Sequence, residues 1–452
     1  MRKTARIPVI LALTVLAAVP APSGAQDKAP ALTLTLEDCI EMALRQNPFH
    51  LANLEKEVQA GALRQEAASR FLPTVNVQGN STLAEKLFVL EFPSLIPGEP
   101  PTKIEVDFTR DYQTTLNFSL PLFTGGAITS GYRQANYGLK ASRESIRRSE
   151  QETVYNVKQA FYGYLLAREF FEAARESLDL AGQHYRNVAN LYEVGMASKF
   201  DLLRSEVQVA NLKPQVIKAR NSLDLAELGL KTLLGIDLDT SLAIRGSLTF
   251  QPLETELQKS VDEALAERPE LRELDFQRRM AGETLKVARS AYWPTLAVGG
   301  AVNWWADSLN LRRNTWQNFY AVNLVLSLPV LNIMETRARV AQSKSVIREL
   351  EWTRKGLAET VKSEVRQAIL NYGQARESLE SQAKNVEQAR EAVRIAELNY
   401  NEGLATSLDV STARVSLSQA RTNHSQALYD CVMSQAQLEK AIGRGRPGNR
   451  LN

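Results

Sequence analysis

The chain has little of what catalysis and metal binding require. Its 452 residues contain two cysteines and three histidines. The histidines, His50, His184 and His424, lie far apart and show no spacing typical of metal ligands. The sequence also lacks a nucleophile motif and a glycine-rich phosphate-binding loop. We therefore expect no enzyme, no cofactor and no metal centre.

The two cysteines, Cys39 and Cys431, both occupy apolar positions of helical patterns. In an oxidising compartment such a pair can form a disulfide. Two separate buried thiols are nevertheless the default expectation, and the disulfide is the alternative.

Apolar runs long enough to span a membrane are missing beyond the N-terminus. Residues 1–25 have the order of a secretory signal, with a basic head, an apolar run and a small-residue cleavage site. No later apolar run approaches 18 residues, so we expect no transmembrane helix. No cysteine follows the cleavage site, so we expect no lipid anchor. The chain is predicted to be exported.

An excess of charge of one sign is missing as well. The sequence has 54 basic and 51 acidic residues, and removal of the signal takes away three basic ones. The exported chain is therefore neutral overall, and nothing in it favours nucleic acid as a partner.

What the sequence does contain is one turn used twice, in Tyr192–Asp201 and in Tyr400–Asp409, 208 positions later. A glycine favours the left-handed backbone that ends one helix. A hydroxyl residue three positions on caps the next helix together with an aspartate three positions further. These residues are Gly195, Ser198 and Asp201 in the first turn, and Gly403, Thr406 and Asp409 in the second.

Long helical patterns flank both turns. Large side chains recur every seven residues from Val157 to Tyr192, and again from Val365 to Tyr400, with alanines in step beside them. A strict seven-residue repeat predicts helices that supercoil left-handedly with interlocking side chains. We therefore expect two long antiparallel helical hairpins.

Four short segments alternate between apolar and polar residues, which predicts strands. They begin near residues 74, 112, 296 and 320. We expect Pro121 to end the second strand, and the proline-rich residues 91–101 to form a loop. The prolines Pro48 and Pro73 recur as Pro269 and Pro294, 221 positions later, so the first hairpin has a longer loop than the second.

The predicted organisation is an internal duplication. A signal peptide (1–25) and a leader (26–35) precede a first repeat (36–235), which has a helix, a β-hairpin at about 74–120 and a helical hairpin at 126–235. A linker (236–257) leads to a second repeat (258–443), which has a helix, a β-hairpin at about 295–328 and a helical hairpin at 334–443. A tail (444–452) follows.

Four amphipathic strands cannot close a barrel, and open strand edges are not tolerated in lipid. Several chains must therefore combine their strands, as in an outer-membrane barrel. This pattern predicts an α+β membrane protein that works as a homo-oligomer in contact with outer-membrane lipid.

The sequence resembles the TolC-type outer-membrane efflux protein family along nearly the whole exported chain. The resemblance is carried by the strand-proline junctions at residues 119–123 and 327–331, and by the turns at 194–196 and 402–404 with Ser198 or Thr406 after them. It implies a homotrimer in the outer membrane, with twelve strands in one β-barrel and twelve helices in a coiled-coil tunnel across the periplasm. It further implies docking to a periplasmic adaptor, or membrane fusion protein, and through it to an inner-membrane transporter.

The resemblance also implies roles for the two turns. Asp409 falls on the acidic ring at the periplasmic aperture, and Tyr400 with Asp201 on a gating hydrogen bond. A second acid and a second latch are missing, because Thr412, Ala405 and Phe200 stand at those positions. The residues expected to contact the adaptor are Val194, Gly195, Met196, Ser198, Gly403, Leu404 and Thr406. The alternative for both aspartates is helix capping alone.

A second class of function is a structural or adaptor-like periplasmic coiled-coil protein without its own pore. An adaptor has one helical hairpin per chain between β-rich halves, whereas this sequence has two hairpins. A purely structural coiled coil has no need of four amphipathic strands.

Overall fold

The fold was analysed in a computed structural model, which describes residues 32–81, 88–94, 96–106, 112–306, 316–330 and 332–444. The predicted signal peptide, the first part of the leader and all of the tail after Arg444 lie outside these residues. In chain order the elements are β1 (Leu32–Leu34), α1 (Leu36–Gln46), α2 (Pro48–Ser69), β2 (Thr74–Ser81), β3 (Phe88–Phe92), β4 (Thr102–Val106), β5 (Tyr112–Phe123), α3 (Ala127–Glu193), α4 (Lys199–Leu234), β6 (Leu242–Ile244), α5 (Leu257–Glu267), α6 (Pro269–Ser290), β7 (Thr295–Ala306), β8 (Gln317–Ser327), α7 (Ile333–Asn401) and α8 (Ser407–Ile442).

Two long helical hairpins dominate the molecule. Helices α3 and α7 have 67 and 69 residues, and each is followed by a 36-residue helix, α4 or α8. At 1.5 Å per residue, α3 and α7 are each about 100 Å long. In the part of the chain that the structure describes, no helix combines the length and the apolar character needed to cross a membrane.

A four-stranded antiparallel sheet lies at one end of the long helices, with the strand order β2-β5-β7-β8. Strands β2 and β8 form its two edges. One apolar face runs across all four strands, because the register aligns Val75 with Phe118, Phe118 with Gly300, and Gly300 with Val322. A Cβ at Gly300 would lie 2.3 Å from the Phe118 ring, so this position requires glycine.

Two details of the strands differ from the predictions. Strand β5 does not end at Pro121 but continues to Phe123, with a register irregularity at the proline, which has no N–H for the ladder. The segment 91–101 is not all loop. Glu91 and Phe92 close β3, which pairs with β4 in a separate hairpin, and the proline-rich residues form only its connection.

Among the described residues, two apolar core clusters lie where the short helices meet the long ones. One surrounds α1 and includes Val157, Phe161 and Leu165 of α3. The other surrounds α5 and includes Val365 and Tyr372 of α7. The predicted leader and linker contribute to the first cluster, since β1 and β6 pair in parallel beside it.

Both cysteines are buried free thiols, as expected from their apolar helical positions. Burial raises the pKa of the Cys39 thiol to about 12. The thiolate, which is the reactive form, is therefore disfavoured at neutral pH.

Candidate functional site

The ends of the two helical hairpins have the same backbone structure. Gly195 and Gly403 adopt φ values of +77° and +76°. Each glycine lets the chain turn back, so that the next amide bonds a carbonyl of the last helical turn: Met196 N–H to Leu191 at 2.7 Å, and Leu404 N–H to Asn399 at 2.8 Å. A side chain at φ near +77° is strained, which explains glycine at both turns.

A capping box begins the second helix of each hairpin, as predicted. Ser198 Oγ accepts a hydrogen bond from Asp201 N–H at 3.1 Å and donates one to Asp201 Oδ2 at 2.6 Å. Thr406 and Asp409 form the same pair, with the hydroxyl donating at 2.6 Å and the Thr406 N–H donating at 2.7 Å. These bonds lower the pKa of the Asp409 carboxyl. Asp409 therefore stays ionised well into the acid range.

Apolar side chains project from both turns into solvent. Met196 is 77% exposed and Leu404 is 76% exposed, and Val194 beside them is also exposed. The Cβ positions of both turn glycines face open space in the single chain. The two turns thus present similar apolar surfaces that the described chain leaves uncovered.

The predicted gate pair is not joined in the single chain. Among the described contacts, no hydrogen bond links the half-exposed Tyr400 with Asp201. The cap occupies Oδ2 of Asp201 and leaves Oδ1 available to a further donor. In the single chain, each aspartate therefore bonds the hydroxyl residue that caps its own helix, Ser198 for Asp201 and Thr406 for Asp409.

A row of polar contacts joins the two hairpins near these turns, and sequence reasoning missed it. The imidazole Nε2 of His184 lies 2.9 Å from Ser407 Oγ, and Gln208 exchanges hydrogen bonds with Ser411 at 3.1 and 3.2 Å. Further along, Ser177 Oγ lies 3.0 Å from Ser418 Oγ. The available signal was the spacing of Ser407, Ser411 and Ser418, which places three hydroxyls on one face of α8.

Two ion pairs frame this row. Arg421 of α8 contacts Glu176 of α3 at 3.1 Å, and Arg414 of α8 contacts Glu397 of α7 at 2.7 Å. Burial lowers the pKa of His184, and the positive charge of Arg414 lowers it further. Neutral imidazole is therefore the form that fits between the hairpins.

The sequence profile described as outer membrane efflux protein matches residues 39–236 and 260–444, which include both hairpins and the whole sheet. The chain belongs to the outer membrane efflux protein family. This membership makes it an outer-membrane transport protein and not an enzyme. The family that the sequence resembles is thereby confirmed.

Relatives and solved structures agree with this family. The chain is 27% identical to the alkaline protease secretion protein AprF of Pseudomonas aeruginosa, over 75% of this chain and 72% of the relative. It is 23% identical to outer membrane protein TolC of Vibrio cholerae, over 73% of this chain and 76% of TolC. The fold is similar to the CmeC outer membrane channel of Campylobacter jejuni, with a TM-score of 0.75, 18% identity and coverage of 91% of this chain and 86% of CmeC. The efflux protein thus shares the architecture of a channel.

Proposed function

We propose that the efflux protein is a trimeric conduit, in which three four-stranded sheets close one twelve-stranded barrel in the outer membrane. The observation that carries the proposal is the open sheet: β2 and β8 each pair on one side only. The apolar residues Tyr320, Val322 and Leu324 of β8 are all exposed in the single chain. Pairing of β8 with β2 of the next copy removes every open edge, which lipid requires.

The chain is an internal duplication, with repeats at 36–235 and 258–443. An ion pair between neighbouring helices supports this. Glu57 of α2 contacts Arg143 of α3 at 2.8 Å. The equivalent positions in the second repeat, 221 and 208 residues later, hold Arg278 and Glu351, which contact each other at 3.9 Å with the charges exchanged. The same helix contact is thus built twice.

The long hairpins of three copies form a periplasmic tunnel that continues the barrel. At about 100 Å, α3 and α7 are far longer than a globular core needs. The apolar surfaces at the two turns, centred on Met196 and Leu404, dock to a periplasmic adaptor. The adaptor links the tunnel to an inner-membrane transporter.

The tunnel closes at these turns. Asp409 of three copies forms an acidic ring at the aperture, and Tyr400 donates to Oδ1 of Asp201 in the closed state. The cap leaves this oxygen available, so the gate does not compete with the helix start. Opening breaks the Tyr400 bond and keeps the cap.

The test is the assembly itself. The purified protein in detergent is expected to have the mass of a trimer by multi-angle light scattering, and to form ion-conducting pores in planar bilayers. A folded monomer without conductance would support the adaptor-like coiled coil instead. Extraction with the outer-membrane fraction separates the two classes in cells.

A further inference from the structure

We infer that Phe49 and Trp352 are the aromatic anchors of the contact between neighbouring copies, where α7 of one copy packs on α2 of the next. The inference rests on the proposed function, since it needs a ring of copies. It assigns the partner of a surface that is uncovered in the single chain, where Phe49 is 80% exposed and Trp352 is 68% exposed.

The chain contains its own template for this contact. Strand β5 leads into α3, and α6 leads into β7. Because β5 and β7 are hydrogen-bonded, α3 and α6 lie side by side. At the open edges, β8 leads into α7, and α2 leads into β2. When β8 pairs with β2 of the next copy, α7 and that copy's α2 must lie side by side in the same way.

In this contact between α3 and α6, four charged residues, Glu144, Arg148, Glu270 and Glu273, lie at about the same height along the helices. Arg148 of α3 contacts Glu273 of α6 at 3.6 Å. Glu144 of α3 lies on the same face, and its side chain is 17% exposed. Burial raises the pKa of Glu273, Arg148 opposes this rise, and Glu270 and Glu144 add to it, which places all four side chains near one another.

The equivalent positions between copies hold no charge. The residues 208 positions after Glu144 and Arg148 of α3 are Trp352 and Gly356 of α7. The residues 221 positions before Glu270 and Glu273 of α6 are Phe49 and Ala52 of α2. In place of the charged group, the contact between copies has two large aromatic residues, Trp352 and Phe49, and two small residues, Gly356 and Ala52. Large residues facing small ones interlock across a helix contact.

The pairs of residues that face each other between copies follow from the pairs at the equivalent positions within the chain. Arg148 faces Glu273 and Glu270, so Gly356 faces Ala52 and Phe49 of the next copy. Glu144 lies near Glu273, so Trp352 faces Ala52. Each aromatic ring thus meets a small residue.

Gly356 supplies an independent observation. It lies in the interior of α7, where glycine is less stable than alanine. A Cβ added there meets nothing within 4 Å in the single chain. Nothing in the part of the chain that the structure describes therefore requires glycine at this position, whereas close approach of Phe49 from the next copy would. Exposed aromatic residues in such positions are typical anchors of protein interfaces.

Cysteine cross-linking of the full-length trimer in detergent tests the inference. The variants are Phe49→Cys with Gly356→Cys, and Ala52→Cys with Trp352→Cys. Both are expected to give disulfide-linked dimers and trimers on non-reducing denaturing gels after oxidation, because large residues that interlock with small ones bring the two helices close together at these positions. Each single variant is the control for the native cysteines, which are buried.

The matched control pair is Val58→Cys with Trp352→Cys. Val58 is exposed on α2 and lies six residues beyond Ala52, which moves it about 9 Å along the helix axis from the position that faces Trp352. This pair is expected not to link. Equal linking of the control pair would overturn the assigned register of the two helices, and a trimer in which neither test pair links would overturn the inference while leaving the conduit in place. A monomer by light scattering would reject the conduit itself.

A size exchange gives a second readout. Trp352→Ala is expected to lower the temperature at which the trimer dissociates, and addition of Ala52→Trp to restore it. Val58→Trp in the same background is expected not to restore it. An unchanged dissociation temperature in Trp352→Ala would remove Trp352 from the interface.

Discussion

His184 of the first hairpin and Ser407 of the second are joined at 2.9 Å between imidazole Nε2 and hydroxyl Oγ. The contact lies at the first residue of α8, one position after the capping threonine. Arg414 stands near the imidazole and is paired with Glu397 of α7. A change in the charge of His184 therefore acts directly on the junction of the two hairpins.

Acid is expected to loosen this junction. Because burial and Arg414 lower the pKa of His184 in the folded chain, protonation is harder there than in an open junction. The contact is at full strength above the ordinary histidine pKa of about 6.5 and weakens as the pH falls below it. The protection of amides around residues 184 and 407, which is the intrinsic exchange rate at the same pH relative to the observed rate, is expected to fall in this range.

The control for the acid effect is His184→Gln, which keeps a hydrogen-bonding side chain and cannot gain a proton. The protection of its junction amides, corrected for the intrinsic exchange rate at each pH, is expected to be independent of pH between about 5 and 7.5, the range of histidine titration. Equal pH dependence in the variant would assign the effect to another group.

Asp409 is expected to control cation selectivity. The Thr406 hydroxyl and N–H bonds lower the pKa of its carboxyl, so the ring of three remains negative in the acid range, although mutual repulsion opposes this. Asp409→Asn is expected to reduce cation selectivity and block by divalent cations in planar bilayers. The matched control is Asp38→Asn, which changes the same kind of capping box, with Thr35, at the start of α1 and away from both turns. Unchanged selectivity in Asp409→Asn would limit Asp409 to capping.

Local patterns carried much of the fold, because the deciding interactions are close in sequence. The turn glycines and the capping boxes at Ser198 and Thr406 were predictable, since each involves residues three to five positions apart. The strand faces were predictable because apolar residues alternate. The contacts between the hairpins were not, since His184 and Ser407 are 223 positions apart. Neither serine nor a lone histidine indicates its partner.

Two features of the strands were not predicted from the sequence, for a different reason. The β3–β4 hairpin lies beside prolines, which favoured loop over strand for the whole segment. The pairing of Leu32–Leu34 with Leu242–Ile244 joins two three-residue strands from distant parts of the chain. Strands this short carry no alternation that periodicity can detect. Both features depend on tertiary contacts.

The apolar turns are expected to be the docking surface for the adaptor. The double variant Met196→Arg with Leu404→Arg replaces the two most exposed apolar side chains of the turns by charged ones and leaves both glycines unchanged. Desolvation of the introduced charges is expected to abolish adaptor binding and efflux. Trimer mass and single-channel conductance serve as controls and are expected to remain normal. Normal efflux in this variant would place the docking surface elsewhere.

The gate is expected to depend on the hydroxyl of Tyr400. A phenol-to-carboxylate hydrogen bond stabilises the closed state by about 1.5–3 kcal/mol when partly buried. Three such bonds shift an open–closed equilibrium by several powers of ten, since 1.4 kcal/mol corresponds to about tenfold. The resemblance implies a second latch at Ala405 and Phe200, whose side chains have no hydrogen-bonding groups. We therefore expect the Tyr400 bond to have no substitute at these two positions.

Tyr400→Phe separates gating from packing, because it keeps the ring that ends the heptad row and removes only the hydroxyl. Single-channel conductance is expected to rise in Tyr400→Phe and in Asp201→Ala, and the double variant is expected to add little beyond either. Asp201→Ala also removes a cap, so Ser198→Ala is its matched control: it weakens the same cap and leaves both carboxylate oxygens free. A rise in Ser198→Ala equal to that in Asp201→Ala would assign the effect to the cap. Additive effects of the two gate variants, or wild-type conductance in Tyr400→Phe, would leave the tyrosine as a packing residue.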